Sequence, residues 1–157
     1  MFSYFCIYSI FGFFMESTYI SILKRKLFAS GLLDGPYIPL YGIGASILIL
    51  FSPILNQSIW LCFFLGSFFM TTLEYLTSIY IEKIFHKKCW NYQNHFMNLQ
   101  GRICLLYSFI WGILSVILIH LIIPNITFKP TIITEIISMI IICIIIKDTL
   151  KQKRIVN

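Results

Sequence analysis

The stretch SIWLCFFLGSFFMTTLEYLTSIYIEKIF, residues 58–85, decides the architecture of this chain. It is longer than the roughly 20 apolar residues that carry an α-helix across the hydrocarbon core of a bilayer. Its polar members are ordered. Ser67, Thr71, Glu74, Ser78 and Glu82 follow one another at spacings of four, three, four and four, which sets them on one helical face. Phe63, Phe64, Phe68, Phe69, Leu73 and Leu76 take the other faces. Such a helix offers hydrocarbon to lipid and turns its polar stripe toward protein or a wet cavity. The reason is cost: a carboxylate near the membrane centre is disfavoured by about 2.5–3.5 kcal/mol on insertion scales.

Four further apolar runs flank this one, at about residues 2–23 and 37–55 before it and about 102–123 and 131–146 after it. Of the 157 residues, 59% are hydrophobic and 11% charged, against roughly 45–50% and 25% in soluble domains. A water-soluble fold of this length has too little interior to hide so many Ile, Leu and Phe side chains. The sequence therefore predicts an all-α integral membrane protein, one membrane domain built as a bundle of about five transmembrane helices. The five cysteines are odd in number and form no CxxC pair; four of them lie inside apolar runs and read as small packing residues. An apolar stretch precedes Lys24–Arg25–Lys26 instead of following basic residues. That order marks the first run as a retained span, not a cleaved signal.

The connections set the orientation. The turns at residues 53–58 and 124–130 are short, whereas residues 86–100 form a polar, aromatic segment with Lys87–Lys88, Trp90, Tyr92 and Phe96, expected to lie as an amphipathic stretch at the cytoplasmic interface. Basic residues gather in the loop after the first run, around Lys83, Lys87 and Lys88, and in the tail at residues 147–157; Lys129 alone breaks the pattern. Basic loops face the cytoplasm, so the amino terminus is expected outside and the carboxyl terminus inside. The net charge of +6 then speaks for anionic lipid head groups, not for nucleic acid.

Several polar residues stand where a bilayer disfavours them. Glu16 and Glu74 lie in the cytoplasmic halves of the first and third runs. Arg102 opens the fourth, where its guanidinium is expected to pair with Glu74 or Glu16, as a substrate or ion site or as a structural ion pair. Gly101, Cys104, Ser108, Gly112 and Ser115 line one face of the fourth run, a small-residue surface that lets helices approach closely. Before the second run stands DGPYIPLYG, residues 34–42, whose prolines remove amide donors and whose glycines loosen the helix. It reads either as a broken element lining a site or as a plain kinked helix entry. His86, Cys89 and His95 match no common zinc spacing, and no nucleophile motif, P-loop or dinucleotide fingerprint is present. No metal or cofactor is expected, an enzymatic role is the less favoured reading, and pumping driven by nucleotide would need a separate ATPase or other membrane subunit.

These motifs together resemble a bacterial family of small multi-pass membrane proteins, the ABC-transporter type IV or ABC transporter permease family. The resemblance rests on FGFFMES around Glu16, GPYIPLYGIG at residues 35–44, LEYLTSIYIEKIF at residues 73–85, WNY at residues 90–92 and NLQGRICLLYSFIWG at residues 98–112. The family more often has Trp-Asp-Tyr where this chain has Trp90-Asn91-Tyr92, which leaves no acid there. The fifth run lies outside these motifs. The resemblance implies that Glu16, Gly35, Pro36, Pro39, Tyr41, Glu74, Tyr75, Glu82, Trp90, Asn98 and Arg102 belong to recurring motifs, with Glu16, Tyr41, Glu74 and Arg102 nearest to a polar site in the cytoplasmic half. It implies a transporter permease, or a permease-like subunit, in the bacterial cytoplasmic membrane. A membrane-embedded lipid-modifying enzyme and a non-transporting scaffold or regulator are the competing readings.

Overall fold

The structure, a computed structural model, describes residues 1–125 and 129–156. The turn expected at residues 124–130 therefore lies partly outside the described residues. Among those described, the fold is helical, and the only bridge of strand type is the isolated pair Leu99–Ile103. The elements are α1 (Phe2–Lys24), α2 (Pro39–Leu50), α3 (Ser52–Leu55), α4 (Ile59–Phe85) and α5 (Leu105–Val116). A π-helical turn (Ile117–Ile122) and the short α6 (Ile123–Asn125) continue α5, and α7 (Ile132–Val156) follows.

Among the described residues, three helices are long and apolar enough to cross a membrane: Phe2–Lys24, Ile59–Phe85 and Leu105–Asn125. The run expected at residues 37–55 is divided. Its α2 holds 12 residues, about 18 Å at 1.5 Å per residue, short of the roughly 30 Å core. Prolines account for both ends. Pro39 keeps Ile38 out of the helical region, and Pro53, at the start of α3, cannot extend the preceding hydrogen-bond ladder. The polar tail expected at residues 147–157 is drawn into α7, which runs unbroken to Val156.

The chain forms two compact units. In the first, Met1–Ile43 with Pro130–Asn157, α1 and α7 run parallel. The Met1 ammonium meets the Glu135 carboxylate at 3.0 Å, and the Cys6 thiol donates to the Ser138 carbonyl at 3.4 Å. Lys151 and Gln152 of α7 donate to Asp34, in the segment that follows α1, at 2.6 and 2.8 Å. The buried face of α1 consists of Ser3, Cys6, Ser9 and Gly12, small residues that allow such packing. The second unit, Gly44–Lys129, is built on the antiparallel pair α4 and α5. Ser67 donates to the Ser108 carbonyl at 2.7 Å, and the Phe63 and Phe109 rings meet edge to face at 5.2 Å.

Close approach in this pair depends on glycine. A Cβ on Gly66 would stand 2.3 Å from Ser115 Cβ, and one on Gly112 would stand 2.6 Å from the Phe63 ring. Gly66→Val should destabilise the second unit by about 1–3 kcal/mol through overpacking, read by denaturant unfolding in detergent micelles. Adding Ser115→Gly should recover part of the loss. Unchanged stability in Gly66→Val would contradict this packing.

Candidate functional site

The polar stripe of α4 faces α5 and the segment that joins the two helices. Glu74 is only 4% exposed. One of its carboxylate oxygens accepts from the Tyr92 hydroxyl and the other from the Trp111 indole N–H, each at 3.0 Å. One donor comes from the joining segment and the other from α5. Ser67, Ser78 and Glu82 of the same stripe also meet partners from this side, so the spacing read in the sequence does define the inward face.

The joining segment, residues 86–104, is held in turns instead of a helix. His86, Met97, Gln100 and Gly101 have positive φ, which a helix does not accommodate. Asn side chains take over the backbone's donors: Asn98 Oδ1 accepts from the Gly101 amide and Asn91 Oδ1 from the Gln93 amide, both at 3.0 Å. Asn98 Nδ2 donates to the carbonyls of Gln93 and His95 at 3.1 and 3.0 Å. The Tyr92 ring stacks on Tyr107 of α5 at 4.5 Å, and His95 packs against both rings. Burial, together with the neighbouring Glu74, pushes the Tyr92 phenol well above its ordinary range.

Arg102 stands three residues ahead of α5, not at its first turn. Its guanidinium pairs with Glu82, where the sequence pointed to Glu74 or Glu16, and donates to Ser78 Oγ at 2.9 Å and Gln100 Oε1 at 3.3 Å. Lys88 stands 3.7 Å from the same Glu82 carboxylate. Trp90 Nε1 fixes the Arg102 carbonyl at 2.8 Å, and the Tyr75 hydroxyl reaches Gln100 at 3.2 Å. The second unit thus gathers Glu74, Tyr75, Glu82, Trp90, Asn98 and Arg102 into two adjoining clusters. One is a buried carboxylate with neutral donors, and the other is a half-exposed ionic group one to two turns further along α4.

The other expected residues belong to the first unit. After α1, residues 27–38 turn back along that helix. The Phe28 amide donates to Ser21 Oγ at 2.9 Å, the Ser30 amide to Ser17 Oγ at 3.0 Å, and the Ile38 amide to the Ser9 carbonyl at 2.9 Å. Glu16, half-buried, accepts from the Ser30 hydroxyl. Gly35 and Pro36 lead into Tyr37, whose hydroxyl donates to Asp148 of α7. Lys151 beside Asp34 holds that carboxyl below the usual carboxylate range. Pro39 opens α2, and the Tyr41 ring lies over Gly12, where a Cβ would come within 2.2 Å of it.

Two residues at the centre of the site escaped the sequence reading. Trp111 carried a usable signal: tryptophan favours the membrane interface, and a buried indole N–H needs an acceptor. Tyr92 was visible only as an interfacial aromatic, because its contact depends on the path of the turns.

The family profile described as "Putative ABC-transporter type IV" matches residues 3–152. The chain belongs to that family. The match takes in most of α7, so the fifth apolar run, which the quoted motifs did not reach, is part of the family's sequence. With its three long apolar helices, the chain is a membrane protein related to ABC-type transporters. No curated protein and no solved structure matches it.

The raised pKa of Tyr92 has a consequence for stability. Folding holds the phenol neutral, so its contribution is complete below the unfolded pKa near 10 and falls as the pH rises above it. Unfolding of the detergent-solubilised chain should show stability declining above about pH 10, and Tyr92→Phe should flatten that decline. An equal slope in both proteins would contradict the burial of this phenol.

Proposed function

We propose that this member of the ABC-transporter type IV family is a small permease, or permease-like subunit, of the bacterial cytoplasmic membrane, with a polar site in the cytoplasmic half of the bundle. The chain crosses the membrane five times, with the amino terminus outside and the carboxyl terminus inside. The parallel run of α1 and α7 supports that count. A chain leaving α1 on one side and entering α7 from the other must cross an odd number of times in between. Helices α4 and α5 supply two crossings, and the broken α2–α3 region supplies the third. The basic loops place the joining segment 86–104 in the cytoplasm.

The observation that carries the reading is Glu74. A carboxylate within an apolar span is expensive and normally serves a pathway or a partner. This one is closed over by donors from two different segments, one of them a turn-rich stretch without helical backbone. In the proposed site Glu74 supplies the charge or the proton-binding group, and Arg102 with Glu82 forms the ionic edge nearest the cytoplasm. Nucleotide-driven transport would draw on a separate ATPase subunit, the kind of partner to which the ABC-transporter family description points.

Purification of the full chain from its native membranes should bring down a P-loop ATPase. Glu74→Gln and Arg102→Ala should leave insertion and abundance intact while lowering the stimulation of that ATPase by about tenfold or more, the usual scale for losing a charged site interaction. Wild-type stimulation in both would remove these residues from the site; failed insertion of both would make them structural. Orientation has its own reporter in the exposed Cys89. A membrane-impermeant maleimide should label it in inside-out vesicles and not in intact cells. Labelling in intact cells would reverse the topology.

A further inference from the structure

We propose that the end of α1 and the segment folded back on it form a binding site for one anionic glycerophospholipid of the cytoplasmic leaflet. The site is a groove within the first unit, with a cavity volume of about 740 Å³. Its geometry comes from a local reversal. Arg25 closes α1 in the left-handed region at φ 50°, and the Lys26 amide returns to the Ser21 carbonyl at 3.2 Å. Phe28 is then clasped against the helix, its amide donating to Ser21 Oγ and its carbonyl accepting from the same hydroxyl. Lys24 caps the Phe28 ring at 3.6 Å.

The groove between helix and returning segment changes character along its length. Phe13 and Phe14 line one end, Thr18 and Ile22 follow, and Arg25 and Lys26 line the other end. From Phe13 to Arg25 the helix rises about 18 Å at 1.5 Å per residue, slightly more than half of the roughly 30 Å hydrocarbon core, or about one leaflet. An acyl chain would lie against Phe13 and Phe14, the glycerol against Thr18 and Ile22, and the phosphate against Arg25 and Lys26. Among the described residues no acid lines the groove, and Glu16 of α1 is bonded to Ser30. Leu27, 94% exposed, projects beside the basic pair, where an acyl chain would cover it. Charge complementarity selects the ligand. Arg25 and Lys26 lie in a loop that the basic-residue pattern assigns to the cytoplasmic face, and that leaflet is the one rich in anionic lipid.

Native mass spectrometry of the full chain in detergent, titrated with phosphatidylglycerol or phosphatidylcholine, tests this. Wild type should retain a single phosphatidylglycerol and bind phosphatidylcholine at least about tenfold more weakly. Arg25→Gln with Lys26→Gln should abolish that preference. Lys153→Gln with Arg154→Gln, which removes equal charge from α7, should keep it. Because the first pair also helps to set topology, Ile22→Ser with Leu27→Ser provides a charge-neutral second arm and should weaken phosphatidylglycerol binding without creating a preference for phosphatidylcholine. Equal affinity for both lipids in wild type, equal loss in both charge variants, or displacement of the lipid by inorganic phosphate alone would overturn the proposal.

Discussion

A carboxylate withdrawn from water must be given hydrogen-bond donors, and the way Glu74 obtains them organises the second unit. Its two oxygens draw Trp111 and Tyr92 to the same point on α4, so α5 and the 86–104 segment are both referred to one buried group. An orphaned buried donor costs about 1–3 kcal/mol, which makes this arrangement sensitive to the loss of any one member. Glycine makes it sterically accessible. With Gly66 against Ser115 and Gly112 against Phe63, the helices approach closely enough for an indole on one to reach a carboxylate on the other.

The first unit meets the same constraint differently. Backbone that leaves the helical form at membrane depth must find partners inside the protein. Residues 27–38 do so by running back along α1, where Ser21, Ser17 and the Ser9 carbonyl receive their amides. The segment is then fixed from the other side by α7, through Asp34 with Lys151 and Gln152 and through Tyr37 with Asp148. In this unit the backbone that leaves the helix is thus partnered by serines of α1 and by polar side chains of α7. Arg25 and Lys26 border a groove that, among the described residues, no carboxylate lines.

Much of this was legible in the sequence because the bilayer reads composition and period directly. The lengths of the apolar runs gave α1, α4 and α5 closely, and the four-and-three spacing from Ser67 to Glu82 identified the inward face before any partner was known. The small residues from Cys104 to Ser115 likewise marked the surface that meets α4. What remained hidden was governed by local backbone. The proline-broken entry at residues 34–42 was visible, but the further division before Pro53, which shortens α2, was not, because apolarity does not register it. Arg102 binds Glu82, not Glu74, because positive φ at Gln100 and Gly101 turns the chain before α5 begins and leaves the guanidinium nearer the end of α4. Pairing across a membrane interface depends on such turns more than on depth alone, and spacing along a helix does not encode them.

The claim on which the account turns is that Glu74 and Trp111 act together. A double-mutant cycle of Glu74→Gln and Trp111→Phe, measured by unfolding of the full chain in detergent, tests it most directly. A coupling energy between about 0.5 and 3 kcal/mol is expected, the range for residues in direct contact. Additivity within about 0.3–0.5 kcal/mol, as for independent sites, would contradict it.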